Sequence, residues 1–473
     1  MAKGLRAKFF ASRLYDTSLG SRAEPPRPVP AALAGAMASA MSSAMSGGAA
    51  DAAGDDTFVW LAALPMEPDG ETLAKARARL AAWLAANRGW HAETWRADLI
   101  GQRLTHGIAR FAGLAAGAPA EFTAVLAGQL RREARHLFRL APAAFASHDP
   151  FQAGLGAIMA ARFLPGFERR LGDAVGGLLD QVPQWIYPDG GHRARQPERH
   201  LAALTALIQV RDVLADSHFA FPELMQNAID RMAPMLRAYL LGDGGFALFN
   251  GAGEGRPGTI ERMLDAGGSK AKAASSAPYT GFHRIHAQRT ALVFDVGRPA
   301  STPLVAGHAG TLSFEMSVGN HRLIVNCGGG PQAGRNLAEA LRATAAHSTL
   351  TVADVNSSDL VAGGFGPRAA ENVSARRCEQ DRNVLVEATH DGYREPFGIS
   401  HRRLLYLARD GLDLRGEDVL EAETGTGRKF DIRFHLHPDV DASLSAGGRS
   451  ALLRLPTGRG WRLAISDGTL ALE

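Results

Sequence analysis

The sequence predicts an α+β chain of two domains, a helical one followed by an antiparallel β domain. Three observations lead there. The 473 residues exceed what one hydrophobic core holds, since single cores rarely grow past about 250–300 residues. Apolar residues recur at helical spacing from Leu73 to Leu236, and near residue 285 the period changes to two. A composition of 46% hydrophobic and 21% charged residues is that of a globular chain and excludes fibrous and intrinsically disordered classes.

The helical pattern begins with Leu73, Leu80, Trp83 and Leu84 and continues with Phe122, Val125, Leu126 and Leu130. It returns at Leu155, Ile158 and Met159, at Leu201, Leu204, Leu207 and Ile208, and at Leu224, Ile229, Met232 and Leu236. Breaks such as Asn87-Arg88-Gly89 and Pro188-Asp189-Gly190-Gly191 separate the segments. Paired antiparallel helices of this kind wrap into an incomplete α/α toroid or stack as a solenoid. Beyond residue 285, the stretches 291–297, 312–316 and 322–326 alternate or run as short β-rich segments. Strand-like stretches at 348–352, 384–388, 403–407, 429–436 and 451–455 follow at the turn spacing of a β-sandwich. Residues 461–473 still read as strand, so the sandwich is expected to be incomplete at its C-terminus, with an open edge. The expected organisation is an N-terminal extension over 1–56, a helical domain over 57–282 and a β domain over 283–473. The extension contains a linker at 29–54 rich in Ala, Met, Ser and Gly, which its Ser and Gly residues set apart from a signal-peptide core.

A formal charge of +4 arises from arginines spread along the chain, without the dense basic block of a nucleic-acid arm. Cys327 and Cys378 are the only cysteines, which excludes a disulfide framework and a metal site built on thiolate spacing. No window of about 20 strongly apolar residues offers an integral membrane segment.

Three groups of residues can carry chemistry. Pro188-Asp189-Gly190-Gly191-His192 is a tight turn leading toward Arg195 and Pro197. His192 can move a proton near neutral pH and Arg195 can grip a carboxylate with two N–H groups; the same segment also reads as a solvated helix connection. In the β domain, His308, Asn326 and His347 stand at the ends of neighbouring strands. Imidazoles suit zinc and a carboxamide does so poorly, and hydrogen bonding to loop backbone is the alternative use of both histidines. His435 and His437, two apart on a strand, share one face and can meet one ligand, or simply line the polar side of a sheet.

Taken together, these segments resemble the heparinase II/III family of polysaccharide lyases. The likeness rests on Pro188 to His192 with Arg195 and Pro197, on Leu248-Phe249-Asn250, on the stretch from His308 to Glu315, on Ile324 to Gly328, on Thr344 to Thr349, and on Phe434 to Pro438. It implies an incomplete α/α toroid packed on an antiparallel β-sandwich, with an anionic polysaccharide as partner. It also implies β-elimination on a uronate. A base removes the C5 proton, the 4-linked oxygen leaves, and a positioned cation or amide neutralises the carboxylate as charge develops. Carried over by position, His192 with Arg195 serves the carboxylate and Tyr279 is the candidate base. Asn250, His435 and His437 are candidate substrate-binding residues, and His308, Asn326 and His347 fall on the ligands of a structural zinc. Two departures weaken the scheme: Ala306 and Asn326 stand where characterised members have His and Asp. A catalytically impaired glycan-binding or cell-envelope assembly protein is therefore the alternative. Glycoside hydrolysis is a third reading, with Asp189 and Glu198 as the nearest carboxylates. A periplasmic or envelope location is what the resemblance implies.

Overall fold

Two helices in the first half of the chain start from an aspartate that caps them, Asp69 and Asp149. The structure, a computed structural model, describes residues 24–34, 37, 56–140, 148–215, 217–329, 334–422 and 428–473. Most of the linker expected at 29–54 lies outside the described residues. The chain forms two compact units, Met1–Trp185 with Ala202–Ile229 and Ile186–Leu201 with Asp230–Glu473. This division follows packing, whereas the sequence boundary at 282 follows periodicity. Residues 186–201 hydrogen-bond into the segment 277–298, which ties them to the strands.

In the first unit, α1 (Gly70–Ala86) is capped by Asp69, whose carboxylate accepts from the Thr72 amide at 2.7 Å. Next come α2 (Ala97–Ala115), α3 (Ala120–Arg139), α4 (Pro150–Phe163) and α5 (Leu171–Trp185). Asp149 caps α4 and Pro150 opens it, where a missing N–H costs nothing. Helix α4 is apolar on nearly every face because it is buried on nearly every face. It crosses α2 on bare backbone: a Cβ on Gly101 would sit 2.1 Å from the Gln152 carbonyl oxygen, and one on Gly156 2.3 Å from the Gly101 Cα. Beside this crossing, the Arg103 side chain is fully buried, pairing with Glu133 at 2.7 Å and donating to the Asp56 and Thr94 carbonyls.

The second unit takes in the first turn of α6 (Pro197–Ala215), the second half of α7 (Glu223–Ala238), α8 (Pro257–Ala266) and the strands. The strands begin with β1 (Ser276–Ala277), β2 (Phe282–Ala287), β3 (Thr290–Asp295), β4 (Phe314–Val318), β5 (His321–Val325) and β6 (Leu350–Val352). A short hairpin of β7 (Leu360–Val361) and β8 (Gly364–Phe365) precedes β9 (Ser374–Gln380), β10 (Asn383–Tyr393), β11 (Ile399–Leu407) and β12 (Leu414–Ala422). Then come β13 (Phe430–Ile432), β14 (His435–Leu436), β15 (Asp441–Leu444), β16 (Ser450–Arg454) and β17 (Gly460–Ala464).

All the paired strands are antiparallel, and they form several sheets. One has the order β1-β2-β3-β4-β5-β14, a second β12-β11-β10-β9 and a third β15-β16-β17. Strands β10 and β11 alternate buried and half-buried residues along their length, so each turns one face inward. One core receives Leu292, Phe294, Phe314 and Met316 from the first sheet, Val386 and Leu405 from the second, and Ala451 and Leu453 from the third. The stretch expected as a single strand at 429–436 is two. Phe430 pairs with Val352 in a small sheet with β6, and His435 then pairs with Val325 at the edge of the large one. Within 461–473, the strand stops at Ala464.

Candidate functional site

The turn after α5 is built by its glycines and by Asp189. Gly190 has φ +89°, and a side chain there would strike the Arg231 carbonyl; one on Gly191 would strike Thr280. The Asp189 carboxylate accepts from the Tyr279 and Thr280 amides at 2.8 Å each and from the Thr280 hydroxyl at 2.6 Å. Residues 90 positions apart in sequence are thus fastened together. Asp189, which the sequence offered only as a hydrolase candidate, is a backbone anchor.

Arg195 completes the fastening. Its Nε–H donates to the Thr280 carbonyl at 2.7 Å, Nη1 to the Arg298 carbonyl at 2.7 Å, and Nη2 to the Gly281 carbonyl at 3.1 Å and to the Asp295 carboxylate. Four of the five guanidinium N–H groups are committed within the unit, and the side chain is 3% exposed. Burial pushes the Asp295 carboxyl up, and Arg195 and the Gly297 amide pull it back. The His192 ring is buried, its Nδ1 accepts from the Ala194 amide at 3.1 Å, and burial, followed by His200 and Arg199, lowers its pKa to about 3. It is neutral at physiological pH. Tyr279 is the opposite case. Its side chain is 63% exposed, with no partner for its hydroxyl among the described residues.

Asn250 joins this turn to the histidines. Held at φ 52°, it donates from Nδ2 to the Arg195 carbonyl at 2.9 Å and accepts at Oδ1 from the His308 amide at 3.5 Å. His347 Nδ1–H donates to the Ala343 carbonyl at 2.7 Å, which leaves Nε2 as a lone pair facing His308 Nδ1 at 3.1 Å. Burial comes first in lowering both imidazoles, His347 to about 4 and His308 well below its ordinary value with His347 and Arg342 adding to the effect. The structure therefore gathers His192, Arg195, Asn250, His308 and His347 into one hydrogen-bonded region of one unit.

The donors present do not fit a structural zinc. Such an ion takes four N, S or carboxylate ligands. Here one imidazole hydrogen-bonds the other, and Asn326 Oδ1 accepts from the Ser348 amide at 2.9 Å. Among the described residues, no three His, Cys, Asp or Glu side chains are placed so that they could hold a metal ion together. The carboxylate nearest this backbone is Glu315, which the sequence singled out only as the end of a motif. It is fully buried, accepts from the Leu248 and Asn326 amides at 2.7 and 3.0 Å, and burial pushes it up to about 7 against those amides and Arg322.

His435 donates from Nε2 to the Ala345 carbonyl at 2.8 Å, and its Nδ1 faces the Cys327 thiol at 3.5 Å. His437 lies 3.5 Å from Glu254. These two imidazoles have separate neighbours and do not form a pair. Behind the loops lies a second polar group that the sequence did not reveal. His390 and His401 meet at 3.2 Å, His401 reaches Asp418 at 2.7 Å, and Arg403 chelates Asp418 at 2.7 and 3.0 Å. Arg403 Nη1 then donates to the Leu312 and Ser348 carbonyls at 2.9 Å each. Each of these residues looks ordinary in sequence; only strand register brings them together, with His390 opposite His401 and Arg403 opposite Asp418.

Comparison with known proteins agrees with this architecture. Residues 269–473 match the family model described as heparinase II/III-like, C-terminal. FtsZ-localized protein C of Caulobacter vibrioides is 32% identical over 426 residues, covering 86% of this chain and 73% of that protein. The chain belongs to the heparinase II/III-like family. Among solved heparinases, a heparinase III has a TM-score of 0.66 at 11% identity, covering 93% of this chain and 78% of its own. A heparan sulfate lyase mutant from Pedobacter heparinus has a TM-score of 0.57 at 14% identity, covering 96% and 79%. At these identities, the heparinase likeness is one of fold. No described helix is long and apolar enough to cross a membrane.

Proposed function

We propose that this heparinase-fold chain, an incomplete α/α toroid with a β-sandwich, binds a uronate-containing anionic glycan of the cell envelope without cleaving it. The observation that carries this reading is Arg195: the cation assigned to a substrate carboxylate spends four of its five N–H groups on Asp295 and three backbone carbonyls. A group so engaged cannot neutralise an incoming carboxylate without breaking its own buried pair. His192, neutral and buried, offers no charge in its place, and Ala306 stands where the family scheme puts a further imidazole. The likeness to an FtsZ-localized protein supports an assembly role and suggests where to look for this chain in the cell.

The test pairs binding with turnover. The chain is presented with alginate, heparan-type glycans and bacterial exopolysaccharides on an array, and the same polymers are followed for the ultraviolet band of an unsaturated uronate. Binding with no such band is expected; product from any of them would remove this reading. The second reading, a working lyase, draws on the exposed Tyr279 hydroxyl. Product that disappears in Tyr279→Phe would establish it.

A further inference from the structure

The first unit carries a basic recess that none of the candidate site residues lines. Arg131, Arg135 and Arg139 follow one another at intervals of four on α3, which places them on one helix face at roughly 6 Å per step. With Phe138, Gly166, Phe167 and Arg170 they line a recess of about 330 Å³. No carboxylate is among the lining residues. Of the acids in the adjoining segment, Glu168 pairs with Arg27, and Asp173 pairs with Arg170 at 3.2 Å. Arg135 and Arg139 are exposed and have no ion pair or hydrogen bond among the described residues. Partial burial first, and then the like charges of Arg131, Arg139 and Arg132, hold the Arg135 guanidinium below its ordinary range.

The recess is also organised in advance. Phe138 and Phe167 stack at 5.8 Å, Arg170 lies over Phe138 and Arg131 over Phe167, each at 5.9 Å, and Arg131 Nη1 donates to the Pro165 carbonyl at 2.8 Å. Cation–π contacts and that bond fix two guanidinium groups, so less freedom is lost when an anion arrives.

We propose that this recess on α3 is a docking site for a linear acidic glycan, with successive carboxylates or sulfates of one chain engaging Arg131, Arg135 and Arg139. The planar forks suit those oxyanions, and the regular step along the helix suits charges repeated from one sugar to the next. A lipid surface is the weaker match. Among the described residues, no exposed large apolar side chain occurs between Val125 and Leu224 to enter a bilayer, and the charges line a hollow rather than a plane. The proposal rests on the glycan-binding reading and adds where the chain is held.

The experiment uses the full chain with size-defined heparin-derived and oligogalacturonate oligosaccharides, measured by calorimetry over a range of NaCl. Arg135→Glu with Arg139→Glu is compared with Arg454→Glu with Arg459→Glu, exposed residues of the other unit that change the net charge equally. The first pair is expected to weaken binding about tenfold or more and flatten its salt dependence, the second to change it less than about twofold. Equal loss in both pairs, or none in the first, would overturn the docking site while leaving glycan binding intact. Failure of the unaltered chain to bind any acidic oligosaccharide would overturn both proposals. Capture by vesicles of anionic phospholipid that the oligosaccharides do not displace would assign the recess to a membrane instead.

Discussion

Replacing Arg195 with Ala separates a clamp from a ligand-binding cation. The guanidinium is buried against Asp295, whose side chain is 6% exposed, and it also satisfies three carbonyls. Removing one member of a buried ion pair costs about 3–5 kcal/mol, because the other charge is stranded. At roughly 2–4 °C per kcal/mol for a unit of this size, Tm should fall by about 10 °C. Circular dichroism melts of the full chain provide the assay, with Asp295→Asn and the double variant closing a cycle that should show strong coupling. The pH dependence gives a second readout. Burial already holds the Asp295 carboxyl above its ordinary value, with Arg195 opposing. Without Arg195 it rises further. A carboxyl whose folded pKa exceeds its unfolded one gains stability as pH falls through the folded value, so the variant's deficit should narrow toward acid. A variant that melts with the wild type yet loses glycan affinity would refute the clamp and make Arg195 a ligand contact.

Three further outcomes follow from the structure. His192 and His200 are lowered to about 3 and 4, chiefly by burial. Their contribution is complete above the unfolded value near 6.5 and lost below it, so urea stability should drop by about 2 kcal/mol per histidine between pH 7 and 5; an unchanged midpoint would contradict their burial. Protein purified without chelator should contain far less than one zinc per chain by elemental analysis, and a full equivalent would overturn the donor-set reasoning at His308, Asn326 and His347. Gly101→Ala, which drives a Cβ into the Gln152 carbonyl, should cost at least about 2 kcal/mol in a melt; a neutral result would mean that the two helices can separate freely.

The sequence revealed the fold class where burial imposes a period and hid it where burial does not. Strands β3, β4, β5 and β16 fall on stretches expected from their apolar alternation. Strand β9, Ser-Ala-Arg-Arg-Cys-Glu-Gln, is almost wholly exposed at a sheet edge and five of its seven residues are charged or polar, so it carries no apolar period to read. Strand β12 was missed for the same reason. The motif positions are drawn together, since Asn250 joins the 188–195 turn to the His308–His347 pair. What the side chains do there was not legible, because Arg195 finds Asp295 across 100 residues and no local pattern announces such a partner. Composition likewise spread the arginines evenly, and only helix geometry stacked three of them on one face of α3.

The reach of Arg403 from its own sheet to the Leu312 and Ser348 carbonyls limits how this protein can be rebuilt from parts. A chimaera that imports residues 374–422 from a distant relative would graft a sheet onto loops whose shape was set by another sheet's side chain. Arg403 and Asp418 must travel as a matched set with the 308–315 and 343–349 loops, or the transplanted piece will arrive without the latch that seats it.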